Sequence, residues 1–181
     1  MDRLNDYLKE LRSEMQVKWN RVLPTNELLS DRWEKAGFLG FGEGSSIYDS
    51  CVVIGDVTVG KDVWIGPFTL LDGSGGLNIG EGCDISAGVQ IYSHDTVKQT
   101  LSEGKKEIEH KATSIGAYCH IGAGSIILKG VSIGHHSVIG AGCVVTKSFP
   151  DHSIIAGVPA KKIGVVEIND EISFVYEEKE K

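Results

Sequence analysis

From residue 45 the chain falls into sixes: "SSIYDS CVVIGD VTVGKD VWIGPF TLLDGS", then "LNIGEG CDISAG VQIYSH", then "TSIGAY CHIGAG SIILKG VSIGHH SVIGAG CVVTKS". The third position of each unit is aliphatic throughout: Ile47, Val53, Val59, Ile65, Leu71, Ile79, Ile85, Ile91, Ile115, Ile121, Ile127, Ile133, Ile139 and Val145. The first position holds only Ser, Cys, Val, Thr or Leu, and glycine commonly follows the aliphatic residue. Residues two apart on a strand face the same side. A short strand that buries positions one and three, then bends, and repeats in constant phase over residues 45 to 148 describes a parallel β-helix.

Composition agrees with that reading. The 23 glycines stand against only four prolines, so glycine has a positional use in the bends. Cys51, Cys83, Cys119 and Cys143 all occupy the small first position and form no CxxC pair, which makes them core thiols rather than a zinc site or redox pair. A length of 181 residues suits one domain with an appended helical segment. With a net charge of −7 and no basic stripe, the chain lacks the main electrostatic source of nucleic-acid binding. No apolar run is long enough to span a bilayer and the first twenty residues hold no apolar leader core, so the expectation is a cytoplasmic protein without membrane insertion.

Outside the repeat, Leu4, Leu8, Leu11 and Met15 recur at helical spacing. A second helix is expected over residues 26 to 36, with Thr25 after Pro24 as its cap. Together these helices are expected to cover the open first coil. The chain then divides into an N-terminal helical cap (1–44), a β-helix (45–163) with a protruding loop at 95–112, and a C-terminal tail (164–181) ending in a solvated "EEKEK".

The repeat is interrupted twice, and the interruptions carry the chemistry. With three strands per coil, Ile47, Val53 and Val59 start a first, second and third face. Leu71 then lies on the second face and Ile79 on the third, with two extra residues in "DGSGG". Ile91 and Ile115 are again second and third, but unbroken sixes between them would bury Glu103 and Glu109, which is costly. Residues 95 to 112 are therefore read as an excursion of one coil's worth of chain. Both breaks fall at one corner in consecutive coils, about 4.8 Å apart. Asp72 and Ser74 should lie beside Tyr92 and His94, with Leu128 and Lys129 following at the same edge. Histidine is suited to general base catalysis, and a neighbouring carboxylate would fix its tautomer. Asp72 by stacking and Asp95 by adjacency are both candidates, with Asp72 favoured. His135 and His136 occupy a corner, and spacing identifies no partner for His110 or His152.

The repeat, "YSHD", and the closing "CVVTKSFPDHSIIAGVPAKKIG" resemble the hexapeptide-repeat acyltransferases, in particular sugar O-acetyltransferases of the galactoside and maltose type. That resemblance implies a left-handed β-helix, a homotrimer with active sites between subunits, and acetyl-coenzyme A as donor with a sugar acceptor and no required metal. It implies His94 as the catalytic base. It also implies Thr146, Lys147 and Lys161 around the coenzyme A nucleotide, and Ala123 and Ala141 along the pantetheine arm. His120 stands where the family often has tryptophan in the donor channel, and Gly164 where arginine is common. Gamma-class carbonic anhydrases resemble the same fold but use zinc-binding histidines five residues apart, a spacing this chain lacks. The readings are thus O-acetyl transfer to a sugar or polysaccharide precursor, N-acetyl transfer to an amino-sugar nucleotide, or a non-catalytic β-helix binding or scaffold protein. A prism of about five coils is expected.

Overall fold

The computed structural model of the protein describes residues 2–177. It is mainly β, a left-handed parallel β-helix with a helical cap. The three faces are those counted from the sequence. On the first, Ile47, Ile65, Ile85, Ile121, Ile139 and Ile155 stack in parallel register. On the second, Val53, Leu71, Ile91, Ile127 and Val145 do so. On the third, Val59, Ile79, Ile115 and Ile133 continue to a bridge with Phe149. Apart from Val53, which is partly buried, these side chains have almost no solvent exposure. The hydrophobic core is therefore a single aliphatic column, closed by parallel ladders that need no partner within a coil.

The first face is six strands deep, one more than expected. Phe149 takes the third-face position only four residues after Val145, so the frame of six is lost while the coil continues to Ile155. Strand Ala160–Ile168 then folds back antiparallel on Ser153–Gly157, and Ile172–Tyr176 pairs with it in turn. The boundary drawn at 163/164 thus falls inside a strand, and most of the segment set apart as a tail forms a hairpin. Gly164 explains its own identity: a Cβ there would run into the backbone of Val175 and Tyr176. An arginine has no room at that position. Of "EEKEK", residues 178–181 lie outside the described residues.

The cap differs in detail from expectation. Helix α1 spans Asp2–Trp19. The stretch expected as one helix is two, α2 (Thr25–Leu29) and α3 (Arg32–Phe38), separated where Ser30 turns extended. Thr25 is the first residue of α2, not its cap, which is Pro24 without a side-chain bond. Asp31 makes the real cap, accepting from the N–H groups of Trp33 and Glu34. Ala36 of α3 and Phe41 join the core cluster and cover the first coil, as a terminal cap must. All four cysteines are buried free thiols. Among the described residues, no helix is long and apolar enough to cross a membrane.

Candidate active site

The first interruption is a widening of the second-to-third corner. Strand Leu70–Ile79 pairs with Val52–Val59 in a register that jumps from Gly55↔Gly73 to Val57↔Leu77, which absorbs the two extra residues. The slack brings the Asp72 side chain inward, where it is 1% exposed. Its Oδ1 accepts from the N–H of Ser74 at 2.9 Å and from its hydroxyl at 2.5 Å. Its Oδ2 accepts from the N–H of Ser93 at 2.9 Å, one coil further on, and meets His94 Nδ1 at 2.6 Å. Burial alone would raise the pKa of this carboxyl, but the Ser74 hydroxyl, the Ser93 and Ser74 N–H groups and His94 together outweigh it. The group is held well below the usual carboxylate range. Asp72 is therefore ionised and accepts only, so Nδ1 of His94 donates and the neutral imidazole keeps its lone pair on Nε2.

The second interruption leaves and re-enters the prism at one point. His94–Asp95 pairs antiparallel with Glu109–His110, and the intervening chain carries helix α4 (Val97–Leu101). A backbone bond from Lys111 N–H to Ser93 O and a side-chain bond from the Thr113 hydroxyl to Tyr92 O fasten its base. Lys129, from the next coil, clamps it: the ammonium lies 2.7 Å from Asp95 and 3.1 Å from Glu109, which also meets Lys98 at 2.5 Å. These contacts hold the Lys129 pKa above its ordinary value and those of Asp95 and Glu109 below theirs. Asp95 is thus committed to Lys129, and Asp72 is the carboxylate on His94. His110, for which spacing gave no partner, stacks its ring on His94 with centroids 5.9 Å apart. A signal was present in the sequence, since an excursion that rejoins its own corner must bring its first and last residues together.

His94 lines an open cleft of about 520 Å³ with Tyr92, Thr96, Leu128, Lys129 and Thr146. Of the residues expected to hold the donor, Thr146 alone shares that cleft. Lys147 follows it at the same corner, its ammonium 5.6 Å from the Phe149 ring centroid. Ala123 and Ala141 stack at the first-to-second corner, joined by the Gly142 N–H to Ala123 O bond, a full face away from His94. Both are exposed. His120 sits on the first face, 3.8 Å from Asp84, and lines a separate apolar cleft with Tyr118, Val166 and Phe174. Lys161 lies on the returning strand opposite Ala156. One chain therefore assembles the histidine and its carboxylate but does not bring the expected donor contacts together.

Residues 112–147 match the family model described as bacterial transferase hexapeptide (six repeats). Among solved structures, the chain is similar to AntD, an N-acyltransferase from Bacillus cereus in complex with dTDP and 3-hydroxybutyryl-CoA. The TM-score is 0.63 at 28% identity, covering 69% of this chain and 71% of that one. A galactoside acetyltransferase in complex with coenzyme A aligns at a TM-score of 0.52 and 24% identity over 90% of this chain and 83% of that one. A hexapeptide-repeat acetyltransferase from Vibrio cholerae O1 biovar eltor, complexed with acetyl coenzyme A, gives 0.54 and 19% over 88% and 87%. The fold is that of the coenzyme A-binding hexapeptide acyltransferases.

Proposed function

We propose that this hexapeptide-repeat protein is an acetyl-coenzyme A-dependent O-acetyltransferase acting on a sugar or polysaccharide precursor. The observation that carries the reading is the bond of 2.6 Å between His94 Nδ1 and a buried, ionised Asp72 at the mouth of a cleft. With Nδ1 occupied as donor, Nε2 takes the proton of an acceptor hydroxyl as its oxygen attacks the thioester carbonyl. Asp72 stabilises the imidazolium formed. Backbone N–H groups stabilise the oxyanion. As the tetrahedral intermediate collapses, the imidazolium returns its proton to the departing thiolate. Thr146, Lys147 and Lys161 would flank the coenzyme A nucleotide and Ala123 and Ala141 its pantetheine arm, with His120 as a channel wall contributed from a different face. Since those residues lie on separate faces of one chain, the reading includes a homotrimer whose clefts each combine two subunits. The setting proposed is the cytoplasm.

The similarity to AntD favours a second reading, N-acyl transfer to an amino-sugar nucleotide. An amine is already nucleophilic and needs less from His94. Thiol release from acetyl-coenzyme A across free sugars, nucleotide sugars, amino-sugar nucleotides and amino acids separates the two. Release driven by hydroxyl acceptors supports the first reading, and release confined to amino-sugar nucleotides replaces it with the second. Absence of coenzyme A binding by calorimetry would leave only a scaffold.

A further inference from the structure

All the arginines of this chain, Arg3, Arg12, Arg21 and Arg32, fall in its first 32 residues, and the β-helix has none. Trp19 and Trp33 lie in or next to that stretch. Folding gathers part of this set around one cavity of about 200 Å³ in the cap, walled by Lys18, Trp19, Arg21, Arg32, Trp33 and Tyr48. Two carboxylates also reach it, yet both are turned to backbone groups. Glu27 accepts from Asp49 N–H at 3.0 Å and Ser50 N–H at 2.9 Å. Asp31 accepts from Trp33 N–H at 2.8 Å and Glu34 N–H at 3.0 Å. Among the described residues, Lys18, Arg21 and Arg32 form no ion pair.

The three cations outnumber the two carboxylates at this concave wall and pair with neither, in a chain whose net charge is −7. The Arg32 guanidinium lies 4.7 Å from the ring centroids of both Trp33 and Tyr48. Set beside aromatic rings, a guanidinium still has N–H groups to donate, and its planar fork suits a phosphate. The Lys18 ammonium is 5.2 Å from the Trp19 ring centroid. At roughly 30 Å³ per water, the cavity replaces about seven solvent molecules, enough for a phosphate and the one sugar ring attached to it. It is built on the first coil and the cap, apart from the His94 cleft on later coils.

We propose that the cap holds a second binding site, for a ring-bearing phosphate monoester of the sugar-phosphate or nucleoside-monophosphate class. Arg21, Arg32 and Lys18 supply the charge, and Trp19 and Trp33 the apolar wall. The test is calorimetry on the full chain, with tryptophan fluorescence alongside, using glucose 1-phosphate, uridine monophosphate and inorganic phosphate, and glucose and uridine as uncharged controls. Saturable binding of at least one ring-bearing phosphate is expected, with none for the uncharged controls. Preference between the two phosphates identifies the source. Arg21→Gln and Arg32→Gln should each weaken binding about tenfold or more, the usual scale for a lost charged hydrogen bond. Arg32→Lys, which keeps charge but not the planar fork, should fail to restore it. Lys18→Gln and Arg21→Gln alter exposed side chains, so they carry the test if Arg32→Gln does not fold. No binding, binding unchanged in these variants, or inorganic phosphate bound as tightly as the ring-bearing probes would each overturn the proposal.

Discussion

Burying a carboxylate is costly unless its lone pairs are taken up, and at Asp72 four donors converge on two oxygens. Asparagine offers one acceptor oxygen and would turn its NH₂ toward two of those donors. Asp72→Asn should therefore lower stability at neutral pH by about 1.5–3 kcal/mol, the scale for hydrogen bonds to a charged group, and lower the transfer rate by mis-setting the His94 tautomer. Thermal melts and initial rates on one preparation check both. The folded-state pKa of Asp72 lies below its unfolded value. Its stabilisation is thus complete above the ordinary carboxylate range near pH 4 and is lost as the pH falls from there toward the folded value. The variant's unfolding midpoint should accordingly fall less steeply below about pH 4 than that of the parent. His94→Asn should lower the chemical step by roughly 10²–10⁴-fold while coenzyme A still binds. Near-normal turnover would remove His94 from the mechanism. At this scale the sequence was legible where stacking is rigid: the choice of Asp72 over Asp95 followed from counting faces. The partnership of His94 with His110 was legible only in outline: rejoining the corner brings the ends of the excursion together, but which residues pair depends on a hairpin register that no repeat dictates.

The excursion itself was legible as an element, because charged residues at Glu103 and Glu109 break a pattern that buries the third position of each six. Its internal form was hidden, since α4 and its two-residue ladder depend on Lys129 from another coil rather than on local periodicity. The cap was half legible for a related reason. Helical spacing runs through residues 26 to 36, and only the capping geometry of Asp31 shows where one helix ends and the next begins. The base of the excursion is fastened outside its own ladder by the Lys111 N–H to Ser93 O bond. Deleting residues 97 to 110 should therefore leave the β-helix folded, with an unchanged far-ultraviolet dichroism of the β type, and abolish transfer. Transfer at the parental rate would show that the excursion is dispensable. Lys129→Met should give a milder form of the same defect, with faster hydrogen exchange confined to 95–112 and a transfer rate that Lys129→Arg partly restores. Uniformly faster exchange through the prism would assign Lys129 to the stability of the fold instead.

For the whole molecule, the arrangement of the expected donor contacts decides what must assemble. Thr146 and Lys147 follow the second face, Ala123 and Ala141 the first, and Lys161 lies on the strand returning along the first face. Among the described residues, these positions lie on separate faces of one chain. The excursion also leaves Val97, Leu101 and Ile108 exposed at 56%, 81% and 37%, an apolar set that its own core does not reach. Both features are resolved if neighbouring prisms pack side by side, so that the His94 corner of one faces the Ala141 corner of the next. Replacing Lys147 and Lys161 with Ala should then weaken coenzyme A binding and make it less sensitive to salt, because charge pairs screened by ions are lost. Unchanged affinity by calorimetry would take both lysines off the donor. The assembly has a sharper consequence. Light scattering should report a trimer, and chains carrying His94→Asn mixed with chains carrying Ala141→Trp, each inactive alone, should recover part of the transfer rate after co-refolding. Recovery requires that a site draw its base from one chain and its donor wall from another. An active monomer, or mixed assemblies as inactive as their parents, would place the whole site within one prism and contradict the model.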